Sequence, residues 1–350
     1  MTTPRHQPPV LSDVAELAGV SVSTVSRVLT GRTPVSPRLR DKVQAAVSQL
    51  GYRPNAAAQT LVSGRRSTVA VLARNTLRYG YAATLQGIEE AARAAGYVVS
   101  IAVVESEAPR DLGRAVDLVL SQSLAGAIVV EFDSLGVRTL EALPEALPVV
   151  AAAGARRRQG PRPHAFLDDQ AGGEEATRYL LGLGHRTVHH VAIPATRPRS
   201  GRSWGWRRAL EAAGVERPDV VQASYDPDSG YEAGLRLADD PDVTAVLCGN
   251  DELAIGVMRA LAERGRRVPE DVSVVGFDDQ PFARMWSPPL TTVAQDFVDL
   301  GRRTFGMLAR WVETGEPPED SATRPTLVVR ESAAPPRARP HAPERPRSRA

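Results

Sequence analysis

Cysteine occurs once, at Cys248, so this 350-residue chain can form neither an intramolecular disulfide nor a cysteine-rich zinc site. That fits a reducing compartment. No apolar run approaches the roughly 18 residues of a membrane span, and the opening MTTPRHQPPV has no stretch that would serve as an export signal. A cytoplasmic protein that does not enter membranes is the expectation. Lysine is also nearly absent, Lys42 standing against 42 arginines, which reads as genome composition and not as function. No Gly-x-Gly-x-x-Gly follows the first strand pattern, and neither a Walker loop nor a Gly-x-Ser-x-Gly elbow occurs. With no nucleophile, metal or cofactor motif, the chain reads as no enzyme, with no cofactor.

What is present is unevenly charged. The formal charge of +2 conceals nine basic against three acidic residues from Met1 to Arg66, a net of +6. Ser67 to Glu331 carries 29 basic and 37 acidic residues, a net of −8, and the last nineteen residues return to +4. A basic head on an acidic body is the pattern of one small module that meets a polyanion and a larger part with another task. At about 100 to 200 residues per domain, the length predicts two or three domains.

Three short helical patterns fill the head. The first runs from about Ser12 to Ala18 and stops at Gly19; the second follows Ser21, a good N-cap, to Leu29 before Gly31. The third opens at Ser36-Pro37, an N-cap with proline at the first helical position, and ends at Gly51. Val14, Leu17, Val25, Val28, Val43 and Val47 recur at helical spacing, enough for a small shared core. Residues 54–67 follow, with Asn55 able to cap an Ala-rich helix too short to stand alone in water.

From Thr68 onward, short β-branched runs alternate with amphipathic helices. Strands are predicted near 68–73, 97–103, 126–130, 148–151, 188–193, 219–223, 244–248, 272–277 and 326–330. Helices are predicted near 82–95, 110–122, 202–213, 228–238, 251–264 and 296–313. Such alternation implies parallel sheets with helices on both faces, and the loop-like 154–164 divides the strands into two α/β lobes with a cleft between them. The fold class is therefore a small all-α helix-turn-helix head plus an α/β core of two parallel-sheet lobes. The expected divisions are 1–53 for the head, 54–66 for a hinge helix and linker, 67–332 for the core and 333–350 for a disordered Pro/Arg-rich tail.

The segment DVAELAGVSVSTVSRVL (13–29) is the most informative. Ala15 and Gly19 let two helices approach and turn, and the Ser21-capped helix offers Val22, Ser23, Thr24, Ser26 and Arg27 outward, short side chains and an arginine suited to a major groove. Three small helices also occur as plain packing modules; the +6 charge and the following hinge argue against that here.

With SPRLRDKVQAAVSQLGYRPNAAAQTL (36–61), CGNDELAIGVMRAL (248–261), VPEDVSVVGFDD (268–279) and PPLTTVAQD (288–296), this segment resembles the lactose and galactose repressor (LacI/GalR) family of bacterial transcription regulators, over about residues 10–331. The resemblance implies a repressor that binds double-stranded, near-palindromic operator DNA as a homodimer, under allosteric control by a small molecule. Val22, Ser23 and Arg27 match base-reading positions, and Thr24, Ser26 and Thr30 match places that touch the DNA backbone; Asn55 belongs to the hinge helix. Leu61 matches the leucine that wedges into the minor groove and kinks the operator. No leucine follows Leu327, so the C-terminal heptad that makes some relatives tetramers is absent and a dimer is expected. Val10 departs from the family's usual capping hydroxyl, leaving Ser12 to start the first helix.

The core resembles periplasmic sugar-binding proteins as well, and the resemblance to this two-lobed family implies one lobe of about 67–165 plus 295–323 and another of about 166–294 plus 324–332. Arg202 matches a ligand-contacting arginine, and Asn250 and Asp278 match polar contacts beyond strand ends, where α/β sheets place ligands. Tyr81, Asp133, Tyr225, Gln295 and Phe297 occupy further pocket-facing positions by alignment, with helix capping or core packing as their structural alternative. Aromatic faces with planar polar groups suit a sugar or sugar derivative, or else a purine-type corepressor. Arg74, Arg197 and Arg199 read as solvated surface, although at the cleft mouth they would favour an acidic effector. His185, His189 and His190 lack metal-ligand spacing and read as surface or strand-end residues, and Cys248 as a small core residue. The rival readings are a solute-binding protein of a transport system, which would need an export signal and no basic head, and an α/β enzyme, which would need catalytic motifs.

Overall fold

The computed structural model describes residues 9–30, 34–52, 66–155, 160–197 and 199–337. The chain divides into two units between Arg66 and Ser67.

The first unit holds α1 (Leu11–Ala18), α2 (Val22–Thr30) and α3 (Pro37–Leu50). Gly19 and Gly51 end the first and third helices in the left-handed conformation, at φ 63° and 60°, which glycine adopts without a Cβ clash. Ser21 Oγ accepts from the Thr24 amide at 3.2 Å and so caps α2. The first helix starts differently from the expectation. Val10 has no capping side chain and Ser12 does not replace it; instead the Asp13 carboxylate reaches back to the Val10 amide at 2.9 Å. Ser36 precedes Pro37 as expected, but its side chain makes no capping bond. Val14, Ala15, Ala18, Val25, Val43 and Ala46 form the buried core of this unit.

The second unit contains two six-stranded sheets. The first has the order β11-β5-β4-β3-β1-β2, with β1 (Thr68–Ala73), β2 (Val98–Val103), β3 (Leu124–Glu131), β4 (Val149–Ala153), β5 (His164–Leu167) and β11 (Ser321–Thr323), all parallel. The second has the order β12-β10-β9-β8-β6-β7, with β6 (His189–Ala192), β7 (Val221–Gln222), β8 (Ala245–Cys248), β9 (Ser273–Asp278), β10 (Thr291–Ala294) and β12 (Thr326–Val328). Only its edge strand β12 runs antiparallel. The central strands β3, β4 and β9 are buried throughout, which is why they read as unbroken apolar runs.

Helices α4 (Tyr79–Ala94), α5 (Pro109–Leu120), α6 (Ser134–Ala142) and α11 (Phe297–Thr314) accompany the first sheet; α7 (Asp169–Gly182), α8 (Gly201–Ala213), α9 (Pro227–Ala238) and α10 (Asp251–Glu263) accompany the second. The chain thus passes between lobes after β5, after β10 and after β11. The lobes are fastened at three hinge segments.

The sequence reading omits α6, α7, β5, β10 and β11. In α7 the reason is physical: Gly172 and Gly173 lower its intrinsic helix propensity, yet packing requires them. A Cβ on Gly173 would lie 2.3 Å from the Arg202 carbonyl oxygen, and one on Gly205 would lie 2.0 Å from that of Gln170. The α7 and α8 backbones touch at this reciprocal pair of glycines.

Two further expectations are corrected. His190 is fully buried, its Nδ1 2.9 Å from the Leu247 carbonyl and its Nε2 2.9 Å from Ser203 Oγ. His185 is also buried and faces Thr244, Ser273 and the Ala334 carbonyl. Neither is a surface residue. The ordered chain also runs past residue 332: the Ala334 amide donates to Ser273 Oγ at 3.0 Å, and Ser332 is buried with its Oγ donating to the Val274 carbonyl at 2.6 Å. The expectation of disorder fails for 333–337; residues 338–350 lie outside those described.

Candidate functional site

In the head, α2 buries Val25 and presents Val22 and Ser23 at its exposed N-terminal end, with Arg27 one turn on. Val22 is 46% exposed, an apolar side chain that the small core does not use. Thr24 is half-buried and joined to Ser21 Oγ at 2.8 Å through its hydroxyl, which fixes the first turn; Ser26 is half-buried too. Thr30 closes α2, but its side chain, like all of Asn55 and Leu61, lies outside the described residues.

In the core, a cleft of about 1030 Å³, its solvent-open mouth included, lies where the strand ends of the two lobes face each other. At its base is Arg202, from the first turn of α8. Its Nε donates to Asp169 Oδ2 at 3.0 Å, its Nη2 to Gln295 Oε1 at 2.9 Å, and its Nη1 to the Gly249 carbonyl. Gln295 in turn donates to Asp169 Oδ1. The guanidinium carbon lies over the Phe277 ring, 4.0 Å from its centroid. Nη2 also sits 2.8 Å from Asp278 Oδ1, an ionic contact at an angle poor for a hydrogen bond, and that buried oxygen has no other partner among the described residues. Burial pushes the Asp278 carboxyl up to about 7, against the pull of Arg202. Burial likewise raises Asp169, the opposing Arg202 charge and Gln295 bond notwithstanding. Asp278 and Asp279 hold φ of 102° and 51°, a backbone strained to deliver the side chain here.

The side wall is aromatic. Phe132 meets Tyr81 and Phe297 edge-on at 5.1 and 5.7 Å, and Tyr79 meets Phe297 at 5.8 Å. Tyr81, Tyr225, Asn250, Gln295 and Phe297 all line the cleft as aligned. Asp133 does not. It stands behind Tyr81, accepting that hydroxyl at 2.8 Å and capping α6 through the Gly136 amide at 2.9 Å. Asn250 reaches the cleft wall with its amide engaged: the oxygen caps α10 at Leu253 and the nitrogen donates to the Tyr225 carbonyl.

Opposite Arg202 is a polar group that the sequence reading misses. Glu131, at the carboxyl end of β3, is 3% exposed; its Oε2 lies 3.3 Å from His164 Nε2 and its Oε1 accepts from Arg197 at 3.1 Å. Burial opposes its charge, but His164 and Arg197 together hold it below the usual carboxylate range. Arg197, expected at the surface, therefore belongs to the cleft, whereas Arg74 is half-exposed near Asp133 and Arg199 stacks over Trp204 at 6.0 Å. Asp169 is the other omission, joined to Arg202 from 33 positions away. Beneath the floor, His190 is driven down to about 4 by burial, and its hydrogen bonds hold Ser203 in place. Among the described residues no cluster of His, Cys, Asp and Glu has metal-binding form.

A helix-turn-helix head joined to a two-lobed parallel-sheet core with a polar and aromatic interlobe cleft defines a ligand-responsive DNA-binding regulator. The model for bacterial regulatory proteins of the lacI family matches residues 10–55, and that for a periplasmic binding protein-like domain matches 177–333. The chain is 36% identical over 348 residues to the HTH-type transcriptional regulator CelR of Thermobifida fusca, covering 94% of this chain and 99% of that one. Among solved structures it is similar to the Lac repressor dimer bound to operator and the anti-inducer ONPF, with a TM-score of 0.86, 29% identity and coverage of 94% and 100%. It is also similar to the CelR–cellobiose complex, with a TM-score of 0.67, 32% identity and coverage of 93% and 100%. The chain belongs to the lacI family of bacterial regulatory proteins and is a DNA-binding transcription regulator.

Proposed function

We propose that this regulator is a cytoplasmic, non-enzymatic repressor that binds a near-palindromic operator as a homodimer and is controlled by a sugar or sugar derivative in the cleft. The observation that carries the effector reading is the Arg202 cluster: a buried planar donor faces Asp278 Oδ1, an acceptor whose one contact among the described residues is a poorly angled one to that guanidinium, beside an aromatic wall. Planar polar groups and ring faces are what a polyhydroxylated ring requires. In this reading Arg202, Asp278, Asn250 and Gln295 orient the effector by hydrogen bonds, and Tyr81, Tyr225 and Phe297 pack against its apolar face. Asp133 acts through Tyr81.

For the head, Val22, Ser23 and Arg27 read bases, Thr24, Ser26 and Thr30 meet the backbone, and Asn55 and Leu61 act from the hinge segment. Exposed Val98, Ile101 and Val103 on edge strand β2, with Leu118 of α5, support self-association. Effector and operator are linked reciprocally: whatever factor the effector imposes on operator affinity, the operator imposes on the effector.

Thermal shifts of the full chain against neutral sugars, sugar phosphates and nucleobases test the effector class, because a ligand of the native state raises the melting midpoint. A saturable shift with cellobiose or another neutral sugar, lost in Arg202→Ala, is expected. A shift with nucleobases alone would replace the sugar by a purine-type corepressor.

A further inference from the structure

The guanidinium groups that line the cleft each face a carboxylate of the protein itself. Arg202 lies against Asp169 and Asp278, Arg197 against Glu131, and Arg78 against Asp226 at the exposed mouth. Glu252 adds a further carboxylate to the lining. Of these carboxylates, Glu131 is placed most tellingly. It comes from the first lobe, while Arg197 comes from the loop that follows β6 in the second, and the two meet across the cleft.

Both acceptor oxygens of Glu131 are occupied. Oε1 takes both Arg197 Nε at 3.3 Å and Nη2 at 3.1 Å, so one anionic oxygen receives two charge-assisted hydrogen bonds from the guanidinium. Oε2 faces His164 Nε2, and His164 Nδ1 lies 2.8 Å from the Arg162 carbonyl, so both ring nitrogens point at acceptors. The carboxylate is almost completely buried on a central strand, with a partner on each oxygen.

We propose that Glu131 is a specificity-determining residue that fills, as an internal anion, the position between Arg197 and His164 which a phosphate or carboxylate of an effector would otherwise take, and so restricts the cleft to effectors uncharged at that end. An anionic effector would meet the field of Glu131 and find the guanidinium already engaged. A neutral hydroxyl meets neither obstacle. The inference rests on the cleft being the effector site, and it adds the charge class that the site accepts.

The test uses inorganic phosphate on the full chain, so its result does not depend on which sugar binds, and a failed sugar panel is a separate failure. Wild type should show no saturable shift of its melting midpoint with phosphate. Glu131→Ala, which opens the slot and leaves Arg197 and His164 in place, should bind phosphate at least ten-fold more tightly than wild type, and the gain should vanish in Glu131→Ala/Arg197→Met. Equal phosphate affinity in wild type and Glu131→Ala, or a gain that survives loss of Arg197, overturns the proposal. Should Glu131→Ala not fold, Arg197→Ala decides: with Glu131 Oε1 left without its guanidinium, methylguanidinium should stabilise it saturably and leave wild type unmoved. No such rescue would overturn the proposal equally.

Discussion

Asp278 Oδ1 lies 2.8 Å from Arg202 Nη2 at an angle poor for a hydrogen bond and has no other partner among the described residues, although the residue is 92% buried. A desolvated carboxylate held this way keeps its proton to unusually high pH, and burial places its titration at about 7. An effector hydroxyl that donates to Asp278 favours the ionised form and lowers that pKa in the complex. Affinity should therefore rise with pH, by about ten-fold from pH 6 to 8. Calorimetry at the two pH values checks this, with the dependence expected to disappear in Asp278→Asn. An affinity flat with pH in wild type would mean that Asp278 does not accept from the ligand.

Arg202 also carries structural weight. Its removal leaves Asp169 and Asp278 buried without their cation, and breaking a buried pair from one side costs about 3–5 kcal/mol. Arg202→Met should lower the melting midpoint markedly. It should also abolish the effector-induced shift at pH values where the variant is folded. A variant as stable as wild type would show that the two carboxylates are protonated and already indifferent to the arginine.

The contact of α7 with α8 gives a prediction about packing behind the cleft. A Cβ on Gly205 would stand 2.0 Å from the Gln170 carbonyl oxygen, which is backbone and has little freedom to retreat. Gly205→Ala should destabilise by about 1–3 kcal/mol or more, as overpacking does. Since Arg202 sits one turn before Gly205, effector affinity should fall with it. Urea unfolding with and without a bound sugar measures both effects, and neither should be matched by Gly113→Ala, whose Cβ meets open space.

In the head, Arg27→Ala should relax base preference at one position of each operator half-site, with a loss of about 1–3 kcal/mol in discrimination. A selection from random duplexes reads this directly. A uniform loss of affinity with unchanged preference, accompanied by a shallower salt dependence, would instead make Arg27 a phosphate contact.

Much of the architecture was legible because it rests on local chemistry. Gly19, Ser21, Pro37 and Gly51 mark the head helices in the sequence and mark them in the structure. The central strands announced themselves as apolar runs. Elements stabilised from afar were not legible: α7 contains Gly172-Gly173, which only its neighbours justify, while β11 has three residues and borrows its pairing from β5. The cleft divides in the same way. Arg202 and Asp278 stood out by family resemblance, but Asp169 and His164 reach their partners over 33 positions each, a distance at which spacing carries no signal. Glu131 did leave one trace, a lone carboxylate closing an otherwise apolar strand, AGAIVVE. Asp133 was misplaced because an N-cap aspartate beside a cleft and one inside it look alike in sequence.

The three passages between lobes bear on how the protein is made. The first sheet receives its edge strand β11 only at Ser321–Thr323, and α11 reaches its site only after α4 to α10 have been synthesised. The second sheet closes with β12 at Thr326–Val328, and Ser332 and Ala334 then fasten onto β9. Neither lobe is complete until its last strand has been made, and those two strands, Ser321–Thr323 and Thr326–Val328, follow each other directly in the chain, so both lobes close within one short stretch of synthesis. A messenger that stops before Ser321 would spoil the two lobes at once, not one of them.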